Sequence, residues 1–144
     1  MNDHFSVPMR VYIEDTDAGG IVYYVNYLKF MERSRTELFR SLGFPKPAVI
    51  SAGKLIVVAN VDIKYRVSAV LDDLLNVSTE ISKVAKSYLV MNQEVTREEN
   101  GERILLAQAS VRLACVDRYT RRPCGIPKDV LKALNDYLTR DHTL

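Results

Sequence analysis

Histidine and cysteine, on which many hydrolases and metal sites depend, are scarce in this chain of 144 residues. The two histidines, His4 and His142, lie at opposite ends of the sequence, where we expect frayed surface positions rather than catalysis. The two cysteines, Cys115 and Cys124, lack the CxxC or histidine spacing of a zinc site. The sequence therefore predicts no bound metal and no cysteine–histidine catalytic pair, and a disulfide would be unusual in the cytosol.

Long apolar segments are also absent. No hydrophobic run approaches the roughly 20 residues that cross a bilayer, and the N-terminal segment MNDHFSVPMR has no apolar signal core. A net charge of +2 is too small to indicate a nucleic-acid partner. We therefore expect a cytoplasmic protein without membrane insertion. A hydrophobic content of 47% in 144 residues predicts a single domain, residues 1–144, with its own core.

What the chain does contain is a strand-to-helix corner between Arg10 and Phe44. Alternating apolar residues predict a half-buried strand over residues 9–14. The polar segment EDTDAGG follows, and then a run with helical period that ends at Gly43, a residue suited to a left-handed C-terminal position. Carboxylates at such a corner are candidates for chemistry, because the corner is exposed while its flanking elements hold it rigid.

The predicted helix has one apolar face and one anomaly. At about 100° per residue, this face holds Leu28, Met31, Leu38, Phe39 and Leu42. Arg33 and Glu37 fall opposite and are spaced for an i,i+4 ion pair. Glu32 and Arg35 project close to the middle of the apolar face, and two interpretations are open. They form a structural ion pair partly under cover, or Glu32 lies near the reacting centre.

Beyond the helix the apolar period changes from helical to two. Residues 45–53 are predicted to form a loop, and residues 55–60, LIVVAN, a strand buried on both sides. Alternation then predicts further strands over residues 61–68, 75–81, 87–97 and 103–117.

The C-terminal part of the chain gives sharper expectations. Asn100-Gly101 between the last two strands is a strong hairpin signal. In the strand after it, one face is predicted to hold Leu105, Ala107, Ala109, Val111, Leu113 and Cys115. Pro127 begins a short helix, whose apolar stripe consists of Val130, Leu131, Leu134 and Leu138.

These elements predict an α+β fold in which a curved antiparallel sheet wraps around one long central helix, with a short helix at the C-terminus. The helix must bury its apolar face, and a sheet with one apolar face is the only partner available in so short a chain. Such a sheet has open edges, which are often paired with a second copy. We therefore expect a homodimer, with the corner near Asp17 at or beside the subunit boundary.

The corner also carries a resemblance to a known family. The string EDTDAGGIVYYxNYLxF, from Glu14 to Phe30, resembles the signature of hotdog-fold acyl-CoA thioesterases. Within them it is similar to the 4-hydroxybenzoyl-CoA thioesterase-like group, including the branch associated with the Tol-Pal envelope system, and the ending CVDRYTRRPCGIP resembles that branch too. The resemblance implies a hotdog fold and hydrolysis of acyl-CoA by a dimer, assembled into a tetramer, with no cofactor beyond the coenzyme A of the substrate.

The resemblance implies roles for two residues in particular. Asp17, just before Ala18-Gly19-Gly20, matches the catalytic carboxylate, which acts as nucleophile on the thioester carbonyl or as base for water. Tyr24 matches the residue whose backbone N–H polarises that carbonyl. Many members of the Tol-Pal-associated branch have histidine at this place. Because this chain has tyrosine, neither a mechanism with imidazole nor the acyl preference of the histidine-bearing branch is implied for it.

The residues assigned to substrate binding are Gly20, Ile21, Val22, Lys64, Arg66, Lys83, Lys86 and Ser87. The first three adjoin the carboxylate, where glycine permits close approach of the backbone. The basic residues are candidates for the phosphates of coenzyme A, although a single lysine is more often only a solvated charge. By resemblance, segment 83–87 matches the place where hydroxybenzoyl-type enzymes hold the nucleotide.

The chemistry of the residues is compatible with these roles and leaves one alternative open. A thioester carbonyl needs a nucleophile or activated water, and N–H donors where negative charge develops, which a helix N-terminus supplies. With no serine elbow and no usable histidine, a carboxylate is the remaining candidate. On spacing alone, Asp15 and Asp17 could equally cap the helix. The resemblance favours catalysis by Asp17, with Asp15 and Thr16 holding the corner and Asn26 bonding across it.

Two other functions are compatible with the fold. A hotdog dehydratase or hydratase relies on a histidine paired with a carboxylate, and no histidine lies between His4 and His142. The other is a non-hydrolytic module that binds acyl chains or acyl carrier protein for the envelope-linked Tol-Pal system. An assay of thiol release from acyl-CoA separates such a binder from a thioesterase.

Overall fold

The computed structural model describes residues 5–46 and 53–141. Its helices and strands are β1 (Phe5–Arg10), α1 (Asn26–Ser41), β2 (Lys54–Tyr65), β3 (Leu74–Val84), β4 (Tyr88–Glu99), β5 (Glu102–Asp117) and α2 (Lys128–Asp141), with a turn of 3₁₀ helix at Ile13–Asp15. His4, His142 and most of the loop predicted at 45–53 lie outside the described residues.

One antiparallel sheet holds the strands of the described chain in the order β1-β3-β4-β5-β2. α1 lies across one face of this sheet and packs mainly on β1, β3 and β4. The core between the two layers is mainly apolar, and the helix contributes Phe30, Met31, Leu38 and Phe39 to it. A long helix packed on one antiparallel sheet is the architecture that the sequence predicts.

α1 ends where its sequence predicts. Gly43 has a φ of 99°, in the region that L side chains rarely adopt. Its N–H donates to the carbonyl of Arg40 at 3.0 Å, and the N–H of Phe44 donates to the carbonyl of Phe39 at 2.9 Å. These two bonds form a Schellman motif, which turns the chain away from the helix.

The charged residues of α1 pair differently from the prediction. Glu37 accepts a hydrogen bond from Arg40 at 3.2 Å, so the predicted pair between Glu37 and Arg33 does not form. Arg40 lies in the last turn of the helix, where a cation is favoured by the helix dipole. Glu32 is exposed, and no ion pair joins it to Arg35 in the described part of the chain. The prediction of a partly covered ion pair between Glu32 and Arg35 is therefore wrong.

The two strands predicted over residues 55–60 and 61–68 are one strand, β2. It lies at the edge of the sheet. The expectation that residues 55–60 are buried on both sides is wrong, since Val57 and Val58 are 37% and 48% exposed. The pairing of β2 with β5 is irregular between Val58 and Asn60. Such an irregularity interrupts the strict alternation of faces, and the apolar run therefore does not report two-sided burial.

Two further boundaries differ from the prediction. β1 precedes most of the predicted strand at 9–14, because the chain leaves the sheet after Arg10 and the side chain of Asp15 accepts the N–H of Tyr12 at 2.9 Å. In β5, a shift in the pairing with β4 places Leu106 rather than Leu105 in the core. The other residues predicted on that face of β5 are buried.

The C-terminal helix, α2, follows directly after Pro127, as predicted. Val130 and Leu134 are fully buried, and Leu131 and Leu138 are partly buried against the core. No helix among residues 5–46 and 53–141 combines the length and hydropathy that crossing a membrane requires.

Candidate functional site

The corner between β1 and α1 is held by the buried side chain of Asp15. Its Oδ2 accepts the backbone N–H of Tyr12 at 2.9 Å, and its Oδ1 accepts the side-chain amide of Asn26 at 2.9 Å. The hydroxyl of Thr16 donates to the carbonyl of Ile13 at 2.8 Å. A buried carboxylate requires such partners. The predictions that Asp15 and Thr16 hold the corner and that Asn26 bonds across it are confirmed.

Asp17 lies in the turn that follows this corner. Its N–H donates to the carbonyl of Ile21 at 3.0 Å, and its carbonyl accepts the N–H of Gly20 at 3.1 Å. Gly20 has a φ of 79°, which favours glycine at this position. Oδ1 of Asp17 accepts the N–H of Gly19 at 2.9 Å, and the side chain is otherwise exposed. A fixed backbone therefore presents a carboxylate whose second oxygen has no partner among the described residues.

The turn that leads into α1 offers unpaired N–H groups at the N-terminal end of the helix. The N-cap residue is Val25, and no side chain caps the helix, so the capping role considered for Asp17 is not observed. The N–H groups of Tyr24 and Val25 have no acceptor within the part of the chain that the structure describes. Such donors carry the partial positive charge of a helix N-terminus, which favours an anion or a polarised carbonyl oxygen.

Asp17 and Tyr24 face one cavity of about 500 Å³. The full lining is Asp17, Ile21, Val22, Tyr23, Tyr24, Tyr27, Tyr65, Arg66, Val67 and Ser68. Three parts of the chain therefore meet here: the turn, the start of α1, and the end of β2 with the residues after it. The volume lies in the range of small-molecule sites. Among residues 5–46 and 53–141, no group of three histidine, cysteine, aspartate or glutamate side chains could hold a metal ion.

Tyrosine rings form much of the cavity wall. The ring of Tyr65 lies 6.0 Å from that of Tyr24 and 5.4 Å from that of Tyr27, both in edge arrangements. The ring of Tyr23 lies 5.1 Å from that of Tyr24. The hydroxyl of Tyr27 accepts the N–H of Ala69 at 2.9 Å. Burial raises the pKa of both Tyr27 and Tyr65, so the two phenols are neutral at physiological pH.

No sequence signal places Tyr65, Val67 and Ser68 at the site. The alternation of β2 predicts on which face Tyr65 lies, but not that the end of this strand approaches a turn much earlier in the chain. The connection is a backbone contact, in which the N–H of Val22 donates to the carbonyl of Ala69 at 2.8 Å. Contacts between such distant segments follow from the fold and not from local pattern.

The structure places the residues predicted to bind phosphates in three separate regions. Arg66 lines the cavity of Asp17. Lys64 lies on the outer face of the sheet, turned away from α1, where it borders a different cavity. Lys83 and Lys86 lie at the turn between β3 and β4 with Ser87, near the opposite end of the sheet.

The distance between the cavity of Asp17 and segment 83–87 can be measured along β5, because each lies beside a different part of this strand. The N–H of Cys115 donates to the carbonyl of Ser87 at 2.9 Å, and the N–H of Arg66 donates to the carbonyl of Leu106 at 2.7 Å. From Leu106 to Cys115 the strand advances by nine residues (115 − 106), which corresponds to about 30 Å. Within one protomer, therefore, segment 83–87 lies far from the cavity of Asp17.

Known proteins resemble this chain in sequence and in structure. The family model of the thioesterase-like superfamily matches residues 11–134. The acyl-CoA thioesterase YbgC of Haemophilus influenzae is 42% identical over 136 residues, which cover 94% of this chain and 97% of that protein. The acyl-CoA thioester hydrolase YbgC of Escherichia coli O6:H1 is 39% identical over 88% of this chain and 92% of its own length.

Solved thioesterase structures share the fold. A probable thioesterase from Bartonella henselae is 31% identical with a TM-score of 0.73, over 86% of this chain and 98% of that chain. The complex of a 4-hydroxybenzoyl-CoA thioesterase mutant with 4-hydroxybenzoyl-CoA has a TM-score of 0.80 at 21% identity, over 89% of this chain and 96% of that chain. The predicted hotdog fold is confirmed.

Proposed function

The chain belongs to the thioesterase-like superfamily and is an acyl-CoA thioesterase, and we propose that it hydrolyses its substrate in the cavity shared by Asp17 and Tyr24. The reaction splits the thioester with water into a free acid and the thiol of coenzyme A. The observation that carries the proposal is the meeting, at one cavity, of an exposed carboxylate and the N-terminus of a long helix.

In the proposed reaction, the carbonyl oxygen of the thioester accepts a hydrogen bond from the N–H of Tyr24. Negative charge grows on this oxygen as the carbonyl carbon is attacked, and the helix N-terminus stabilises that charge. Loss of one such donor typically slows a reaction by about 10²–10³. Because the donor is a backbone group, tyrosine in place of histidine at this position leaves it intact.

Asp17 either is the attacking group or activates the water that attacks. Its oxygen without a partner either adds to the carbonyl carbon, giving an anhydride that water then hydrolyses, or takes a proton from water as the water adds. In both routes the carbon–sulfur bond breaks, and the sulfur of coenzyme A leaves as a thiolate and takes up a proton. The hydrogen bond from the N–H of Gly19 to the other oxygen orients the carboxylate.

We also propose that the active unit is a dimer, assembled further into a tetramer. β2 is an edge strand, and the exposed apolar residues along and after it are Val57, Val58, Val61, Tyr65 and Val67. A long exposed edge of this kind is normally paired or covered. Pairing through β2 would bring a second copy beside the cavity of Asp17, and segment 83–87 could then serve the coenzyme A bound at another protomer. Sedimentation equilibrium tests this assembly, and a fully active monomer would contradict it.

Replacement of Asp17 by asparagine tests the catalytic proposal. The amide oxygen of asparagine can still accept the N–H of Gly19, so we expect the fold to be retained while kcat for thiol release falls by about 10³ or more. Asp62→Asn is the matched control, since Asp62 is an exposed carboxylate on the outer face of β2. Both variants are assayed with short, long and aromatic acyl-CoA esters.

The same assay separates a thioesterase from a binding module. Full activity of Asp17→Asn would show that Asp17 is not the catalytic carboxylate. A wild-type protein that binds the esters but releases no thiol from any of them would support the non-hydrolytic binder of acyl chains or acyl carrier protein instead.

A further inference from the structure

Segment 68–73, which lies between β2 and β3, is attached to the turn that carries Asp17. The two pieces of chain run antiparallel to each other at this point. Their contact consists of a hydrogen bond from the N–H of Val22 to the carbonyl of Ala69 at 2.8 Å and one from the N–H of Leu71 to the carbonyl of Gly20 at 3.3 Å. The place of the carboxylate therefore depends on the place of this segment.

Ala69 joins the same segment to α1. It is fully buried, and its N–H donates to the hydroxyl of Tyr27 at 2.9 Å. Tyr27 is the second residue of α1 and lies close to Tyr24, whose N–H is the proposed donor to the thioester carbonyl. Both parts of the proposed site, the carboxylate and the helix N-terminus, are thus attached to segment 68–73.

Segment 68–73 contains a backbone turn that needs support. Asp72 has a φ of 72°, in a region that residues with a side chain rarely adopt, although aspartate tolerates it better than most. The N–H of Asp73 donates to the carbonyl of Val70 at 3.1 Å, and the N–H of Val70 donates to Oδ2 of Asp73 at 2.9 Å. A backbone in this region persists where surrounding contacts fix it, and such backbones are frequent at functional sites.

Arg97 in β4 supplies a contact of this kind. Its Nη1 donates to the carbonyl of Ser68 at 3.1 Å and to Oδ2 of Asp73 at 2.9 Å, so one guanidinium group holds both ends of segment 68–73. The side chains of Arg97 and Asp73 are only 18% and 19% exposed, so salt screens this ion pair weakly. Ser68 lines the cavity of Asp17 and Arg97 does not. Arg97 therefore supports the wall of the cavity from behind.

We propose that Arg97 is a positioning residue, which holds segment 68–73 in place and thereby keeps the carboxylate of Asp17 aligned with the N-terminus of α1. This inference rests on the mechanism proposed above and adds to it a residue that touches neither the substrate nor the reacting atoms. Loss of Arg97 leaves the carbonyl of Ser68 and the carboxylate of Asp73 without the donor that they share. The segment should then shift, and a displacement of a reacting group by about 1 Å can cost about 10² in rate.

Arg97→Met tests this role. At temperatures well below Tm, we expect kcat for thiol release to fall by about tenfold to a hundredfold while KM stays within about threefold, because the lining of the cavity is unchanged. Arg97→Lys keeps a positive charge and N–H donors, so it should recover part of the lost kcat. Arg103→Met is the matched control, since Arg103 forms an exposed ion pair with Glu94 in the same sheet, and it should leave kcat unchanged. A merely structural role of Arg97 would lower Tm and leave kcat unchanged at these temperatures.

Amide hydrogen exchange followed by NMR gives a readout that does not depend on activity. In Arg97→Met, exchange of the N–H groups of Val22 and Leu71 should accelerate by about tenfold more than exchange of the N–H of Cys115, which lies near the far end of β5. General destabilisation would instead accelerate all three by the same factor. Such an equal acceleration would overturn the inference, as would a wild-type kcat in Arg97→Met.

Two further variants keep the test decisive. If Arg97→Met does not fold, Asp73→Asn takes its place, because asparagine still accepts the N–H of Val70 but weakens the bond from Arg97. The same pattern of kcat and exchange is then expected with smaller changes, and its absence would overturn the inference. Full activity of Asp17→Asn would show that the proposed mechanism is wrong, while the exchange rates still decide whether Arg97 holds the turn.

Discussion

Replacement of Asn26 by alanine tests whether the corner that carries Asp17 is held as the structure describes. Asn26 is the first residue of α1, and its side-chain amide donates to Oδ1 of Asp15 at 2.9 Å. The two residues are 7% and 6% exposed, so water has little access to replace the lost donor. In Asn26→Ala, the Asp15 carboxylate keeps the hydrogen bond from the N–H of Tyr12 and loses the other.

The expected loss of stability follows from the charge of the acceptor. A hydrogen bond to a charged group contributes about 1.5–3 kcal/mol, and alanine regains a few tenths of this through its higher helix propensity. We therefore expect the free energy of unfolding to fall by about 1–3 kcal/mol in Asn26→Ala. For a domain of this length, the corresponding fall in Tm is about 3–10 °C.

The same variant should lose activity, because the bond between Asn26 and Asp15 ties the turn of Asp17 to the first turn of α1. A displacement of a reacting group by about 1 Å can cost about 10² in rate, so we expect kcat to fall roughly tenfold to a hundredfold with KM little changed. Urea unfolding followed by circular dichroism measures the stability. Thiol release, assayed well below Tm, measures kcat.

Asn135→Ala is the matched control, since Asn135 is an exposed asparagine within α2. This surface change should stay within about 0.5 kcal/mol of the wild type. Equal stability of the Asn26→Ala and Asn135→Ala variants would refute the view that the amide holds the corner. Lost stability in Asn26→Ala with an unchanged kcat would show that the corner does not position Asp17.

Two further predictions concern buried groups. Burial and the neighbouring Cys124 raise the pKa of Cys115 to about 12, so at pH 8 only about one Cys115 in ten thousand is a thiolate, and a thiol reagent should label it no faster than the protein unfolds. Rapid labelling of Cys115 in the folded protein would contradict this low thiolate fraction. The stability that the raised pKa contributes is fully present below the pKa of the thiol in the unfolded chain, and it is lost as pH rises from there towards 12. Tyr27→Phe removes the acceptor of the buried N–H of Ala69 and should cost about 1–3 kcal/mol in urea unfolding. The exposed Tyr119→Phe should cost little, and equal stability of these two variants would contradict the role given to the Tyr27 hydroxyl.

Much of the fold could be predicted from the sequence where short-range chemistry determines the backbone. Asn100 and Gly101 have positive φ values of 53° and 80°, as the hairpin turn requires, and the sequence pattern predicts this turn. The left-handed Gly43 likewise marks the end of α1. In both cases one or two residues determine the conformation, so no knowledge of distant contacts is needed.

Features that depend on a distant neighbour could not be predicted in this way. The apolar run at residues 55–60 looks the same whether its own chain or another molecule covers it, so its place at the edge of the sheet is not a local property. Arg35 lies far along the chain from its partner Gln93, which is itself an inward-facing polar residue of β4. A helical-wheel projection shows only that Arg35 is misplaced among apolar residues and gives no indication of the amide that receives it.

The candidate site likewise combines residues that could be predicted from the sequence with residues that could not. The positions of Asp17 and Tyr24 were predicted through a resemblance, and the structure brings both to one cavity. Tyr65 comes to that cavity only because the strand after α1 returns beside the first turn of the helix. Segment 83–87, by contrast, lies far from this cavity within one protomer, so the resemblance alone does not establish what this segment binds.

The two features that sequence reasoning misjudged face each other in the folded chain. Apolar residues of β2 are more exposed than predicted, and the charged Arg35 of α1 lies among apolar side chains with no carboxylate partner in the described part of the chain. Taken separately, each feature costs free energy of folding, since hydrophobic groups are left in contact with water in the first case and a charge is partly removed from water in the second. Taken together, they describe a strip that the protomer does not complete with its own core. A second copy paired through β2, as proposed above, would remove the first of these costs, because it would cover the apolar residues of this edge strand.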